Sequence, residues 1–502
     1  MQYSTGHELF KSAPITDELV CRKLSSFDQI NSDLPQLAHL KILESYINLN
    51  NATFHKKLPD IFKLSIETAG SYFLNASIFN QFPNLHELNL SNNWIMEVHT
   101  GQFQDLAVVN LSHNDISVFN TSVFKNVKIV ILHNNHIDHI SFKSDVFSST
   151  TLLDLSNNYL HILKEGFLVG FQNLETLLLK GNLLVGIPSF LDAKRLNVIN
   201  LSNNFLTVLD CSMFNGWIRV LLLNNNMLIN FTSCYHLTEV VYLNLSHNNL
   251  THIPDVSSLN LDLVDLSFNK ISDISFETFE KFAPLKLDLS FNNISNLSNK
   301  MLHNLDYLQF LNMSHNRLLT VSNFEESGPY LEVDFSNNNI QNVIIHPQSG
   351  HHKTHQKYHL NNNNITNFNF LKDSCKEYTF VLSGNGLERN CSQIRRFDKY
   401  FNVSVVDSEV IYLEACGHPN DKVKEVVRDV IINLTEWINQ TLLHLQRNID
   451  EGRHPHTTGY VIFAILVVVL LILLVALVIV IKFHNRNRYH NLGPEREMWS
   501  VD

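Results

Sequence analysis

Among the residues that could do chemistry, the histidines come first. His351, His355 and His359 stand four apart, a spacing that on a helix would turn three imidazoles to one side and hold a transition metal. His346 and His352 flank them, and Pro347 and Gly350 punctuate the same stretch. Those two residues oppose a helix, so a solvated loop is expected here and no metal site is assigned. Nothing else assembles a catalytic set. Gly-x-Ser-x-Gly, His-Glu-x-x-His and a phosphate loop are all absent from the sequence. The chain is therefore expected not to be an enzyme, and no cofactor is required. A net charge of −11 argues against nucleic acid as a partner.

What positions any site in this chain is a repeat. Asparagine returns at Asn93, Asn114, Asn135, Asn158, Asn182, Asn204, Asn226, Asn248, Asn269, Asn292, Asn316, Asn338, Asn363 and Asn385, in steps of 21 to 25 residues. An apolar residue stands three before each, as in Leu90, Leu111 and Leu132, and another two after, as in Ile95, Ile116 and Ile137. The full unit is plain in Leu85, Leu88, Leu90, Asn93, Ile95 and in Val240, Leu243, Leu245, Asn248, Leu250. Leu-x-Leu alternates with period 2, which predicts one short strand with one face buried. The Asn follows where the chain bends out of that strand. Its amide offers donors and an acceptor, so it can satisfy backbone groups of adjoining turns that no ladder reaches. About ten residues past many of these Asn comes a ring, as at Phe103, Phe124, Phe214 and Phe279. One such unit cannot close a core, whereas a stack can. Two weaker units, Leu37–Ile42 leading to Ser45 and Ile61–Ile66 leading to Ala69, bring the total to about sixteen.

These Asn-centred units resemble the leucine-rich repeat family in its extracellular "typical" subclass, and are similar to Toll-type receptor ectodomains and chaoptin-like adhesion proteins. The resemblance covers residues 37–390. It implies a leucine-rich repeat solenoid with a curved parallel β-sheet on the concave face and an irregular or short-helical convex side. It also implies that Cys391 and Cys416 belong to a C-terminal cap, although the Cys-x-Cys start usual there is missing. Cys21 would be one of a pair sealing the first repeat. Cys211 and Cys234 follow Asn204 and Asn226 by seven and eight residues, so they stack one repeat apart. A disulfide or two buried thiols would both fit that spacing.

The organisation read from these signals is an N-terminal cap or incomplete leader region over 1–36, repeats over 37–390 and a C-terminal cap over 391–420. An amphipathic juxtamembrane helix over 421–449, a linker over 450–459, a transmembrane helix over 460–481 and a short cytoplasmic tail over 482–502 complete it. Val461–Ile481 is uninterrupted apolar sequence, long enough to cross a bilayer. Lys482, Arg486 and Arg488 follow it, which orients the tail to the cytoplasm and the repeats outside, at the plasma membrane. Met1–Ile30 has no apolar leader core, so the start is expected to be incomplete rather than the export route unusual. Among the Asn-x-Ser/Thr sequons, Asn51, Asn75, Asn402, Asn433 and Asn439 are the expected glycan sites. Those at Asn89, Asn110, Asn200 and Asn244 lie on strands, where a glycan would crowd the inner face. Asp421–Asn448 carries apolar residues at helical spacing, fitting contact with a membrane co-receptor, with the cap or with the membrane surface. Tyr489 and Leu492 form a Tyr-x-x-apolar sorting pattern that would support endosomal cycling.

Strand positions facing solvent are the expected binding surface. Leu178, Val198, Val220, Leu222, Val241, Tyr242 and Leu263 would form an apolar patch there, next to acids at Asp265 and Asp288, with Asp154 and Asp334 further along. The expected role is a single-pass cell-surface protein that binds an extracellular protein ligand, another protein or a second copy of itself, as recognition or adhesion receptor or co-receptor. The alternatives are an innate-immune recognition protein that signals through a partner, and an intracellular membrane-anchored scaffold.

Overall fold

The two apolar residues five and three positions before each ladder Asn bury one side of a three-residue strand, and that unit generates the architecture. The computed structural model describes residues 2–3, 18–25, 37–50, 404–405 and, between 60 and 386, all but 102, 105, 121–122, 142–148, 233, 257–258, 275–283, 298–306, 323–329, 345–354 and 367–377. Of the two units into which the chain divides, Met1–Ile411 contains all of these, and Tyr412–Asp502 lies outside them. The juxtamembrane helix, the apolar segment 461–481, Asn433, Asn439, Cys416, Tyr489 and Leu492 therefore fall beyond the described residues. So do Asn51, Asn402, Cys375 and Cys391. No helix among the described residues is long and apolar enough to cross a membrane.

Among the described residues nineteen strands form one parallel sheet. Each pairs with its sequence neighbour in constant register: Thr176–Leu178 lies beside Val198–Asn200, then Val220–Leu222, then Tyr242–Asn244. In these four strands the middle residues Leu177, Ile199, Leu221 and Leu243 are buried, and their two neighbours are half-buried on the solvent side. The sheet does not begin at residue 37. Glu18–Arg22 pairs in full with His39–Leu43, so part of the stretch assigned to a cap or leader is itself a rung. Cys21 takes the register position of Ile42 there and packs against the core as a free thiol. Burial pushes that thiol's pKa up, as expected of a cysteine standing in for an apolar residue. At the other end Ser404–Val405 pairs with Thr379–Phe380 and continues the sheet into the region assigned to the C-terminal cap.

The ladder Asn side chains join rung to rung. Asn204 Nδ2 donates to Leu179 O and Leu201 O, both at 3.0 Å, and its Oδ1 accepts from Leu184 N at 3.1 Å. The same three bonds recur at its neighbours, including Asn182, Asn226 and Asn248. Where the Asn is missing, hydroxyls take over part of the work. Ser45 Oγ accepts from Leu24 N at 2.9 Å, and Ser71, two residues past Ala69, accepts from Leu49 N at 3.1 Å.

Return segments are irregular, with five two-stranded pairings and short 3-10 turns at Ala76–Gln81 and Cys211–Met213. Buried rings stack along this side: Phe79, Phe103 and Phe124 in one run, Phe167, Phe190 and Phe214 in another. Phe279 lies outside the described residues. Val208–Asp210 pairs with Asn230–Thr232, and this brings the cysteines that follow into a Cys211–Cys234 disulfide with Cα atoms 4.8 Å apart. Of the two forms the spacing left open, the bridged one is present.

Candidate ligand-binding face

Two rows of side chains point to solvent from the sheet, at the sixth and fourth residues before each ladder Asn. The first row runs Val108, Ile129, Leu152, Thr176, Val198, Val220, Tyr242, Leu263 across eight consecutive paired strands. All eight are half-buried. Leu178 and Leu222 stand in the second row on the same strands, separated by Asn200. Val241, also half-buried, is one residue ahead of the strand Tyr242–Asn244 and flanks the rows.

The structure thus brings six of the seven apolar residues singled out from sequence into these rows, with Val241 at their margin, and extends them. Val108, Ile129, Ile131 and Leu152 continue the band toward the N-terminus and were missed. Their signal is present in the chain: counting six or four residues back from Asn114, Asn135 and Asn158 lands on them. Parallel pairing sets neighbours about 4.8 Å apart, so side chains from repeats more than twenty residues apart become a continuous surface.

Past Leu263 the character changes. Asp265, Asp288, Asn312 and Asp334 occupy successive second-row positions. Each acid spends one oxygen on its own turn, accepting from Ser267 N, Ser290 N and Ser336 N at 2.8–3.0 Å. Asp288 also accepts from Asn312 Nδ2 at 2.9 Å. Burial, with the neighbouring Asp265 charge, raises the Asp288 carboxyl above the usual carboxylate range. Among the described residues no Lys or Arg forms an ion pair with these three. On the strand of Asp334 itself, Glu332 does have cations from the following strand. His359 Nε2 and Lys357 Nζ each lie 2.7 Å from its Oε1, and they hold its pKa down to about 2. Burial raises the Tyr242 phenol. Asp154, further back, sits in the second row between Ile131 and Leu178.

The turn after each strand carries a second feature. The residue just before every ladder Asn adopts the left-handed backbone region, and twelve of the fourteen are Asn, His or Gly. Asn and His are enriched in this region, and Gly enters it without a Cβ clash. At Gly181 an added Cβ would meet Asn157 Oδ1 at 2.1 Å, so a larger residue there requires the Asn157 side chain to move. Phe268 and Phe291 are the two exceptions, at φ 53° and 54°. A non-Gly residue there costs about 1–2 kcal/mol. Each ring is 40% exposed. They stack on one another and on His247 and His315 with centroids 4.0–4.1 Å apart, forming an unbroken four-ring pile beside the acidic rungs.

Other positions resolve differently. His355–His359 is a strand, not a helix or a loop, because Tyr358 and Leu360 are the buried pair ahead of Asn363. Along a strand of ~3.3 Å per residue, positions four apart lie about 13 Å from each other, too far to share a metal. His351 is outside the described residues. Asn75 caps the turn Ala76–Gln81, its Oδ1 accepting from Ser77 N at 3.1 Å. The strand sequon residues Asn89, Asn110, Asn200 and Asn244 are half-buried on the solvent face, each accepting from the backbone N of its own sequon Ser.

A parallel β-solenoid with a buried Asn ladder is the class that the fold and this face define. The comparisons agree: leucine-rich repeat family patterns match residues 259–318 and 239–259. The chain therefore contains leucine-rich repeats within residues 239–318. It is similar to Tsukushi of Gallus gallus, 34% identical over 156 residues, which is 29% of this chain and 42% of that protein. Keratocan of Danio rerio is 30% identical over 223 residues, 42% of this chain and 63% of that protein. The chain thus spans less than two thirds of either relative. A solved structure of Drosophila Toll in complex with Spatzle superposes with TM-score 0.60 at 18% identity, covering 77% of this chain and 61% of that one. At that identity the likeness is one of fold.

Proposed function

We propose that this chain is a single-pass, glycosylated cell-surface protein whose sheet face binds an extracellular protein, as a recognition or adhesion receptor or co-receptor. The observation that carries the reading is the half-buried row from Val108 to Leu263, apolar at every rung but Thr176, on rigid paired strands. Such a patch is costly to leave in water and marks protein contact. Toll, whose fold this chain resembles, is seen in complex with a protein, Spatzle, which supports a protein rather than a small molecule. The apolar stretch Val461–Ile481 and the basic residues after it support an anchor with the repeats outside. Asp421–Asn448 is then the segment available to a membrane co-receptor.

The test is proximity labelling on intact cells that display the full chain. Tyr242→Glu places a charge on the band where it meets the acidic rungs, while the buried Leu243 beside it stays, so surface level should hold. The expected result is loss of the labelled partners by about tenfold or more, as for a large aromatic contact residue. Unchanged labelling at equal surface level would remove this face as the site. In the same cells, repeats that resist external protease and carry no glycan would favour the intracellular scaffold instead.

A further inference from the structure

The solvent face of the sheet is divided by charge into three zones, and their order describes what fits it. In the N-terminal rungs, bases and acids neutralise one another: Lys41 meets Glu67 at 3.1 Å, Lys63 meets Glu87 at 2.8 Å, and Arg22 meets Glu44. The middle rungs, Val108 to Leu263, carry the apolar band. In the C-terminal rungs Asp265, Asp288 and Asp334 project from nearby strands without a Lys or Arg ion pair among the described residues. Lys286 is the one base in the first row between Val108 and Glu332. Resting on the reading that this face binds protein, we infer that the ligand is a polypeptide with an apolar stripe continued by basic residues, laid across the strands with its basic end at the Asp265–Asp334 rungs.

Three observations support that occupant. Asp265 and Asp288 sit on paired strands and repel one another, a repulsion that a cation between them relieves. At the far edge of this zone the arrangement is completed from within, where Glu332, on the strand of Asp334, holds both Lys357 and His359 of the following strand. The exposed pile of Phe268 and Phe291, retained against its backbone preference, adds apolar area at the edge of the same rungs, where the stems of Lys or Arg could pack. A second copy of the chain is disfavoured by the same charges, since it would bring its own acids and a net charge of −11.

The probe is a pair of labelled synthetic peptides with the same alternating Val/Ser half, joined to a second half that alternates Ser with Lys in one and with Glu in the other. Binding is read by anisotropy against the full-length chain in phosphatidylcholine nanodiscs, with empty discs as control. The Lys peptide should bind about tenfold or more tighter than the Glu peptide at low salt, and the gap should shrink at about 0.5 M salt. Combining Asp265→Asn, Asp288→Asn and Asp334→Asn should abolish the preference. Lys286→Glu should increase it, a gain that misfolding cannot mimic. Equal binding of both peptides, or preference for Glu, overturns the charge inference and leaves the face as a binding site. Binding of neither peptide overturns both readings. A dimer of the chain that dissociates on Tyr242→Glu would make a second copy the occupant and also overturn the inference.

Discussion

Asn204→Ala should destabilise the repeats around it by about 3–5 kcal/mol, the sum of hydrogen bonds lost and one buried N–H left without a partner. Asn204 is 5% exposed and its amide holds four backbone groups from its own and the preceding repeat: Leu179 O, Leu201 O, Ser202 O and Leu184 N. No water replaces it in an apolar interior, and alanine supplies neither donor nor acceptor. The neighbour Asn203→Ala should cost only about 1–2 kcal/mol, because Asn203 contributes mainly its tolerance of φ 55°. Stability in a stacked array is shared chiefly with adjacent units, so the loss should be local. Hydrogen exchange at Leu184 and its neighbours should accelerate, and thermal melting should broaden or split. A cost below about 1 kcal/mol would show that the ladder contributes little beyond strand pairing.

Phe190→Ala should cost about 3–5 kcal/mol through the cavity it leaves. The ring is fully buried and spans the gap between Phe167, 6.4 Å away, and Phe214, 5.9 Å away. Its neighbours belong to separate return segments that cannot close toward one another without pulling the strands out of register. Phe190→Leu retains most of the volume and should cost about 1–2 kcal/mol. Denaturant melts of the two variants give the comparison directly. Equal losses for Ala and Leu would point to ring stacking rather than volume as the source.

Much of the fold was legible because its signals are local. Leu88, Leu90 and Asn93 state a strand and a bend within six residues, and that statement repeats. Glu18–Arg22 was harder to see, since its rung has no Asn and Cys21 replaces the expected apolar residue. The strand at His355–His359 was obscured by histidines whose own spacing resembled a metal-binding helix. There the count back from Asn363 was the better guide. Hydroxyl substitution by Ser71 for the missing amide at Ala69 depends on which backbone group lies near, and no spacing rule supplies that.

Sequence by itself determined the repeat, its buried positions and the identity of the ladder residues, because each follows from periodicity and side-chain chemistry within one turn of the solenoid. It also contained every residue of the solvent face, but scattered through the chain as single positions. Only the tertiary structure decided that Val108, Ile129 and Leu152 continue the band of Tyr242, that Asp265, Asp288 and Asp334 share one row with no Lys or Arg ion pair among the described residues, and that Phe268 and Phe291 form one pile with His247 and His315. It likewise decided between a disulfide and two thiols at Cys211 and Cys234. The reason is register: a neighbour about 4.8 Å away across a parallel sheet is twenty or more residues away along the chain, and a slip of one residue would turn each row to the opposite face.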